Sequence, residues 1–389
     1  MNMFSTSNFV RVYLSLYPVF NVNCRNIIDG DKEEILKALK YMKYNSPIRL
    51  LDKDFVNIAR KCSNFLETFS YNIYPVTDED RIFPIAFSIL TFKDADQTER
   101  LLRTIYRPQN FYCIHIGNSS SGYLHEAFQV ITRCFKNVFI VSKTENIIYK
   151  HISRLKTDIN CMSDLLMKSQ KWKYFMNLPH QQFPLKTNLK IVKILKIYNG
   201  ANDIEGITSS KRMVLDRYSY SYTTVNDSLV RIGLKNGTMQ YNASIVKGSA
   251  YSVFSRKFVK YIVSDQSAKD VLEYMEDIMS PDEYYCATLN HNEILKAPDN
   301  PEKKSWLAVN AAWDGTDQCQ GKFVRDISIF GVGDLKELVL RKETFANKFH
   351  PDFQYLALEC LEEYINNKTF NPMRFDSFYN KQLSFIRNT

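Results

Sequence analysis

Pro84-Ile-Ala-Phe-Ser-Ile-Leu-Thr91 is a continuous apolar run, the pattern of a strand buried on both faces. Asp94 then caps a helix that carries Leu101, Leu102 and Ile105 on one side. Phe111–Ile116 reads as a second strand and Val138–Ser142 as a third. Ile152, Leu155, Ile159, Met162 and Leu166 mark a long amphipathic helix. Tyr174–Leu178 is a further short strand. Thr187 caps a helix with Ile191, Ile194, Leu195 and Tyr198 inward, closed by Gly200. Strands that alternate with helices imply an α/β fold with a mostly parallel central sheet flanked by helices. Ligands of such sheets sit at the carboxyl ends of the strands, which places Leu90-Thr91, Ile116-Gly117 and Leu178–Gln182 around one cleft.

Outward from this unit, residues 1–82 read as a partly helical lead-in, with Asp31–Met42 its best helix, and 83–389 as the catalytic domain. From Asn202 to Asn242 the chain is polar and tyrosine-rich without clear periodicity, as an acceptor-side loop would be. Phe353, Leu356, Ala357, Cys360, Leu361 and Tyr364 form a strongly amphipathic closing helix. The apolar stretch Phe9–Val22 is broken by Arg11 and Pro18, too short for a spanning helix and without a clear cleavage site.

A net charge of +9 arises from 51 basic and 42 acidic residues interspersed along the 389-residue chain. Neither a basic block nor zinc-finger spacing occurs, which argues against nucleic acid; anionic small molecules such as nucleotide sugars fit the mild positive balance. The eight cysteines form no CxxC pair, so they read as disulfides in an oxidising compartment rather than as a metal cluster. Glycosylation tripeptides at Asn118, Asn226, Asn236, Asn242 and Asn367 agree with that compartment.

Glu283 sits in an exposed-looking Pro281-Asp282-Glu283 turn, and Arg325 and Lys348 flank the turn Gly331-Val332-Gly333-Asp334. Displacing a nucleoside diphosphate from a sugar needs a base for the acceptor hydroxyl and charge neutralisation for the departing phosphates. Many such enzymes hold a divalent ion with an Asp-x-Asp motif after a strand. Here the strand end reads Ile114-His115-Ile116-Gly117-Asn118, without a carboxylate, and two cations can bind phosphate oxygens instead. Taken singly, each residue has a plainer reading: a surface cation, or an acid that favours a helix's first turn. His180 and Gln182 lie at a strand end, where a lone histidine is more often structural. Trp313 could stack on a sugar ring, although most tryptophans are core.

The order of motifs resembles the core-2/I-branching β-1,6-N-acetylglucosaminyltransferases, glycosyltransferase family 14. It is carried by Arg100–His115, Cys134–Phe139, Asp158–Met162, Trp172–Asn188, Lys247-Gly-Ser-Ala-Tyr251, Ser280-Pro-Asp-Glu283, Phe330–Leu335 and Phe345-Ala-Asn-Lys-Phe349. The resemblance implies a GT-A-type nucleotide-sugar fold and metal-independent, inverting transfer from UDP-N-acetylglucosamine, without a cofactor, to a galactose- or N-acetylgalactosamine-containing O-glycan. It also implies a lumenal Golgi protein associated with the membrane.

Residue by residue, Glu283 falls on the catalytic base and Arg325 and Lys348 on the diphosphate-binding pair. Leu90 and Tyr149 fall on the uridine site, and Glu205 and Trp313 on acceptor-sugar contacts. Lys211 and Arg217 do not align cleanly with further basic acceptor contacts. The resemblance pairs Cys24 with Cys360, Cys62 with Cys134 and Cys113 with Cys161. Gly117 replaces an expected aspartate, and Pro179-His180-Gln181-Gln182 departs from the usual segment. Ser328 stands where a cysteine would pair with Cys319, while Cys286 is extra, so a Cys286–Cys319 bridge is expected instead. Two other readings stand beside this one: a relative that uses another UDP-sugar, favoured by Gly117, and a non-catalytic glycan- or nucleotide-binding protein.

Overall fold

The computed structural model describes residues 21–47, 49–209, 213–298, 306–383 and 386; the Phe9–Val22 stretch up to residue 20 lies outside them, as does Lys211. The strands in chain order are β1 (Ile85–Thr91), β2 (Phe111–Ile116), β3 (Val138–Ile140), β4 (Tyr174–Pro179), β5 (Gln182–Pro184), β6 (Tyr220–Val225), β7 (Ser228–Leu234), β8 (Val253–Ser255), β9 (Val309–Asn310), β10 (Lys322–Val324), β11 (Ile327–Ile329) and β12 (Phe345–Asn347). The central sheet has the order β3-β2-β1-β4-β8, parallel across its first four strands, with β8 antiparallel at the edge. It is a mixed α/β architecture with a mainly parallel sheet flanked by helices.

Strand periodicity explains why this sheet lies inside. Along β1, Ile85, Phe87 and Ile89 enter one apolar cluster, whereas Ala86 enters another on the opposite face. Tyr112, Ile114 and Ile116 of β2 join the first cluster and Cys113 the second; Tyr174 and Met176 of β4 divide from Phe175 in the same way. Alternate residues point to opposite faces, so both faces demand cover. Asp94 caps the helix Ala95–Ile105 through the Gln97 amide, and Asp31 caps Lys32–Tyr44 through the amides of Glu33 and Glu34.

Two segments differ from expectation. Residues 202–242 are not a simple loop, because β6 and β7 form a hairpin through Asn226 (φ 47°) and Asp227 (φ 56°). Left-handed backbone at both central positions gives the tight hairpin turn that matches strand twist. A register shift at Ser221/Tyr222 blurs the alternation that would have revealed it. The closing helix, Leu356–Phe370, is buried on several sides rather than along one stripe, and Glu362 and Asn366 are inside. Glu362 is tolerated there because Arg103 pairs with it at 2.8 Å, while Arg100 pairs with Glu359 at 2.7 Å.

Disulfides join Cys24 to Cys360, Cys62 to Cys134 and Cys113 to Cys161. Bridges that close such long loops each stabilise by roughly 2–5 kcal/mol. The first ties a helix of the 1–82 segment to the closing helix. The expected Cys286–Cys319 bridge is absent; both thiols are free. Cys286 belongs to the cluster under the edge strand β8, whereas Cys319 packs against a separate one around the closing helix. The Ser328 hydroxyl touches the Cys319 sulfur, so the serine fills the seat a partner thiol would take. All five sequon asparagines are exposed. Among the described residues, no helix is long and apolar enough to cross a membrane.

Candidate active site

Lys150 (φ 64°), Ser280 (φ 55°) and Arg325 (φ 53°) all occupy the left-handed region, which side chains other than glycine, asparagine and aspartate rarely enter. Each costs on the order of 1 kcal/mol or more and persists only where the surroundings hold it. The Lys150 carbonyl accepts from the Ser280 amide at 2.6 Å, joining the loop before the helix Ser153–Lys168 to the turn Pro281–Glu283. One residue earlier, the Tyr149 ring lies 5.0 Å beneath the Arg325 guanidinium. Residues 149–150 therefore touch both the turn of the expected base and one of the expected phosphate-binding cations.

Glu283 is half-buried rather than exposed. Its carbonyl accepts from the Gly248 amide at 2.6 Å. Its Oε2 pairs with Arg217 Nη1 at 2.7 Å and with Lys247 Nζ at 3.3 Å, while no described residue hydrogen-bonds Oε1. Neither cation was expected to touch Glu283. Arg217 comes from the aperiodic segment, and Lys247 from the quoted Lys247-Gly-Ser-Ala-Tyr251 stretch, where its partner lies 36 residues away by numbering.

Gly248 also fixes the position of Glu205. A Cβ added at Gly248 would lie 2.5 Å from the Glu205 carbonyl oxygen and 2.9 Å from Ala287 Cβ, so glycine is required by close approach. Ile207 and Lys247 exchange two backbone bonds, at 2.7 and 3.1 Å. The backbone of Glu205 is thereby set beside the Lys247–Gly248 segment, whose Gly248 amide bonds to the Glu283 carbonyl.

The turn rests on a polar ladder rising from the sheet. Asp158 accepts from Ser88 Oγ at 2.9 Å, Asn177 Nδ2 at 2.8 Å and Arg154 Nη1 at 2.8 Å. Arg154 stacks over Tyr251 at 5.5 Å and acts electrostatically on Asp282. Burial pushes Asp282 up to about 6, and Arg154 pulls the other way.

Arg325 and Asp326 form the two-residue turn of the β10–β11 hairpin, both with φ above 50°. Asn-Gly would ordinarily satisfy such a turn. Lys348 follows β12, and its backbone brackets β11: its amide donates to Ser328 O at 3.3 Å and its carbonyl accepts from Phe330 N at 3.0 Å. Burial, and next the charge of Arg325, pull the Lys348 ammonium below its usual range. The two cations therefore act on each other, and among the described residues neither has a carboxylate partner within ion-pair distance. Two concentrated positive charges without a counterion have the chemistry to receive an oxyanion.

Trp313 is 41% exposed and bridges to Ile327, while Asp314 donates to the Asp326 carbonyl at 3.0 Å; this places the indole on the hairpin that carries Arg325. Leu90 is buried at the end of β1, its carbonyl accepting from the His180 amide at 2.9 Å. His180 meets Phe92 edge-on at 4.9 Å, and burial holds its ring down to about 4, so it packs as a neutral imidazole. Burial also lowers His115 to about 4; its Nε2 accepts from the Glu145 amide at 3.0 Å and orders the loop that leads to Tyr149.

Residues 85–339 match the model of the Core-2/I-Branching enzyme family. A human protein named β-1,3-galactosyl-O-glycosyl-glycoprotein β-1,6-N-acetylglucosaminyltransferase is 33% identical over 386 residues, covering 92% of this chain and 88% of its own. A Danio rerio protein of the same name with the suffix 4 is 36% identical over 370 residues, covering 90% and 85% respectively. Similarity of this extent, running through both the acid turn and the cation hairpin, means that the chain belongs to the Core-2/I-branching enzyme family and is a glycosyltransferase.

Proposed function

We propose that this glycosyltransferase moves N-acetylglucosamine from UDP-N-acetylglucosamine, in β-1,6 linkage and with inversion, to a galactose- or N-acetylgalactosamine-containing O-glycan, without a metal. The observation that carries the reading is the join at Tyr149–Lys150: Lys150 bonds to the turn that holds Glu283, and Tyr149 lies under Arg325, whose charge acts on Lys348. The names of the similar proteins support the sugar and the linkage.

Glu283 Oε1 takes the proton of the acceptor 6-hydroxyl. The hydroxyl oxygen then bonds to the anomeric carbon from the face opposite the nucleotide, and the bond to the diphosphate oxygen breaks with its electron pair staying on UDP. Arg325 and Lys348 receive that growing charge, which fixed cations can do without reorganising at the moment of reaction. Arg217 and Lys247 hold the carboxylate through Oε2 and leave Oε1 to the acceptor. Tyr149 and Leu90 would flank the uridine, and Glu205 and Trp313 the acceptor sugar. A Golgi lumen is the setting proposed, supported by three disulfides and five exposed sequons.

Glu283→Gln is expected to lower turnover roughly 10²–10⁴-fold with UDP binding unchanged, measured by radiolabelled transfer in chelator. Turnover above a tenth of the parent's removes Glu283 as the base. Gly117 favours a second reading, a different UDP-sugar. A Cβ there would sit at 3.4–3.9 Å from Ser120, Phe92 and Ile147, so space does not demand glycine. A panel of UDP-sugars decides between the donors.

A further inference from the structure

On the far side of β12 from Lys348, a groove runs between the start of the helix Asn188–Tyr198 and the segment after the closing helix. It has a cavity volume of about 130 Å³ and is lined by Lys186, Lys190, Lys193, Lys368 and Arg374, with no aspartate or glutamate among its lining residues. Its walls are apolar, built from Leu189, Tyr364, Ile365, Met373 and Phe375. The groove continues past Lys196 and Lys381, where Glu79 is the one acid among the lining residues, already engaged by Lys196 at 2.8 Å and Lys193 at 3.9 Å.

These cations repel one another. Lys186 is buried, its ammonium donates to the Arg341 carbonyl at 2.5 Å, and burial, then Lys190 and Lys342, act against its charge. Lys190 is opposed by burial, then by Lys342 and Lys368. One acid acts on each: Glu343 on Lys186, behind burial and Lys190, and Asp376 on Lys190, behind burial, Lys342 and Lys368. A cluster of like charges over apolar walls costs stability unless a ligand brings the opposite charge.

We propose that this groove is a second, non-catalytic site for a phosphate or sulfate ester whose apolar or sugar body lies against Tyr364 and Phe375. It is distinct from the donor site. The Leu185 amide bonds to the Thr344 carbonyl at 2.8 Å at the groove end of β12, and four extended residues, roughly 13 Å, separate Thr344 from Lys348. The site does not depend on the proposed donor or linkage.

The test titrates 1-naphthyl phosphate into the full chain, with 1-naphthol as the uncharged control. The phosphate binds the parent and 1-naphthol does not. The triple variant Lys190→Ala, Lys193→Ala, Lys368→Ala binds at least tenfold more weakly, while Arg325→Ala with Lys348→Ala leaves binding unchanged. The triple variant keeps or raises the melting temperature, because it relieves repulsion; Lys190→Glu alone supplies a second folded variant with weakened binding. No binding to the parent, equal binding to the triple variant, or loss only in the Arg325/Lys348 variant overturns the proposal. Sedimentation with phosphatidylcholine vesicles carrying phosphatidylinositol phosphate, lost in the triple variant, assigns a lipid headgroup; naphthyl phosphate binding without sedimentation assigns a soluble ester.

Discussion

Two charged regions of this molecule are built on opposite terms. Between the helices Ala95–Ile105 and Leu356–Phe370, Arg103 pairs with Glu99 at 3.0 Å and Glu362 at 2.8 Å, and Arg100 pairs with Glu359 at 2.7 Å, all nearly inaccessible. At the cleft, Arg325 and Lys348 act on each other and no described carboxylate answers them. In the first region each charge has its partner, and the result is cohesion. In the second the negative charge is missing, and the proposed function supplies it from outside, as the diphosphate of the donor. A cation pair that stabilised the fold would have been given its acids, as Arg103 was.

The comparison breaks first at the cleft. Removing either cation, by Arg325→Ala or Lys348→Ala, is expected to lower kcat/KM roughly 10²–10³-fold while the melting temperature holds or rises, since an unpaired repulsion disappears. A fall in melting temperature with unchanged kinetics would make the pair structural. The converse change lies in the network. Glu362→Gln leaves Arg103 and Arg100 short of negative charge in a dry interior, and is expected to cost about 3 kcal/mol by denaturant unfolding, with activity per folded molecule unchanged. A neutral outcome would mean that water or relaxation compensates the arginines.

A smaller effect sharpens the contrast through pH. Burial, foremost, raises Glu99 and Asp203 to about 7 each, and Arg103 lowers Glu99 in part. The folded state thus holds protons that the unfolded chain releases near 4. Their contribution is fully present below that point, is lost as pH climbs to about 7, and is constant above it. Melting temperature followed from pH 4.5 to 8 should therefore decline and level off, and Asp203→Asn should remove part of the slope. A slope of the opposite sign would contradict the assignment.

What the sequence reveals tracks the range of the forces involved. β1, β2 and β4 are legible because two buried faces impose a continuous apolar run, and the caps Asp94 and Thr187 act within three residues. The β6–β7 hairpin is not, because its turn uses Asn226-Asp227 and its register shifts. The closing helix misleads because Glu362 reads as a solvent-facing acid until Arg103, 259 positions away, is brought to it. At the site, Arg217 and Lys247 are named in the sequence but their pairing with Glu283 is illegible for the same reason: only tertiary contact brings them together. The Cys286–Cys319 expectation pairs the two cysteines that the resemblance leaves over, whereas they lie against different apolar clusters and Ser328 fills the place beside Cys319.

The central claim is that two side-chain cations replace a divalent ion beneath the leaving nucleotide. Calorimetric titration of UDP in excess chelator tests it directly. The account predicts binding to the parent and to Glu283→Gln alike, and loss in Arg325→Ala with Lys348→Ala. UDP binding that requires added manganese, or that survives removal of both cations, would contradict it.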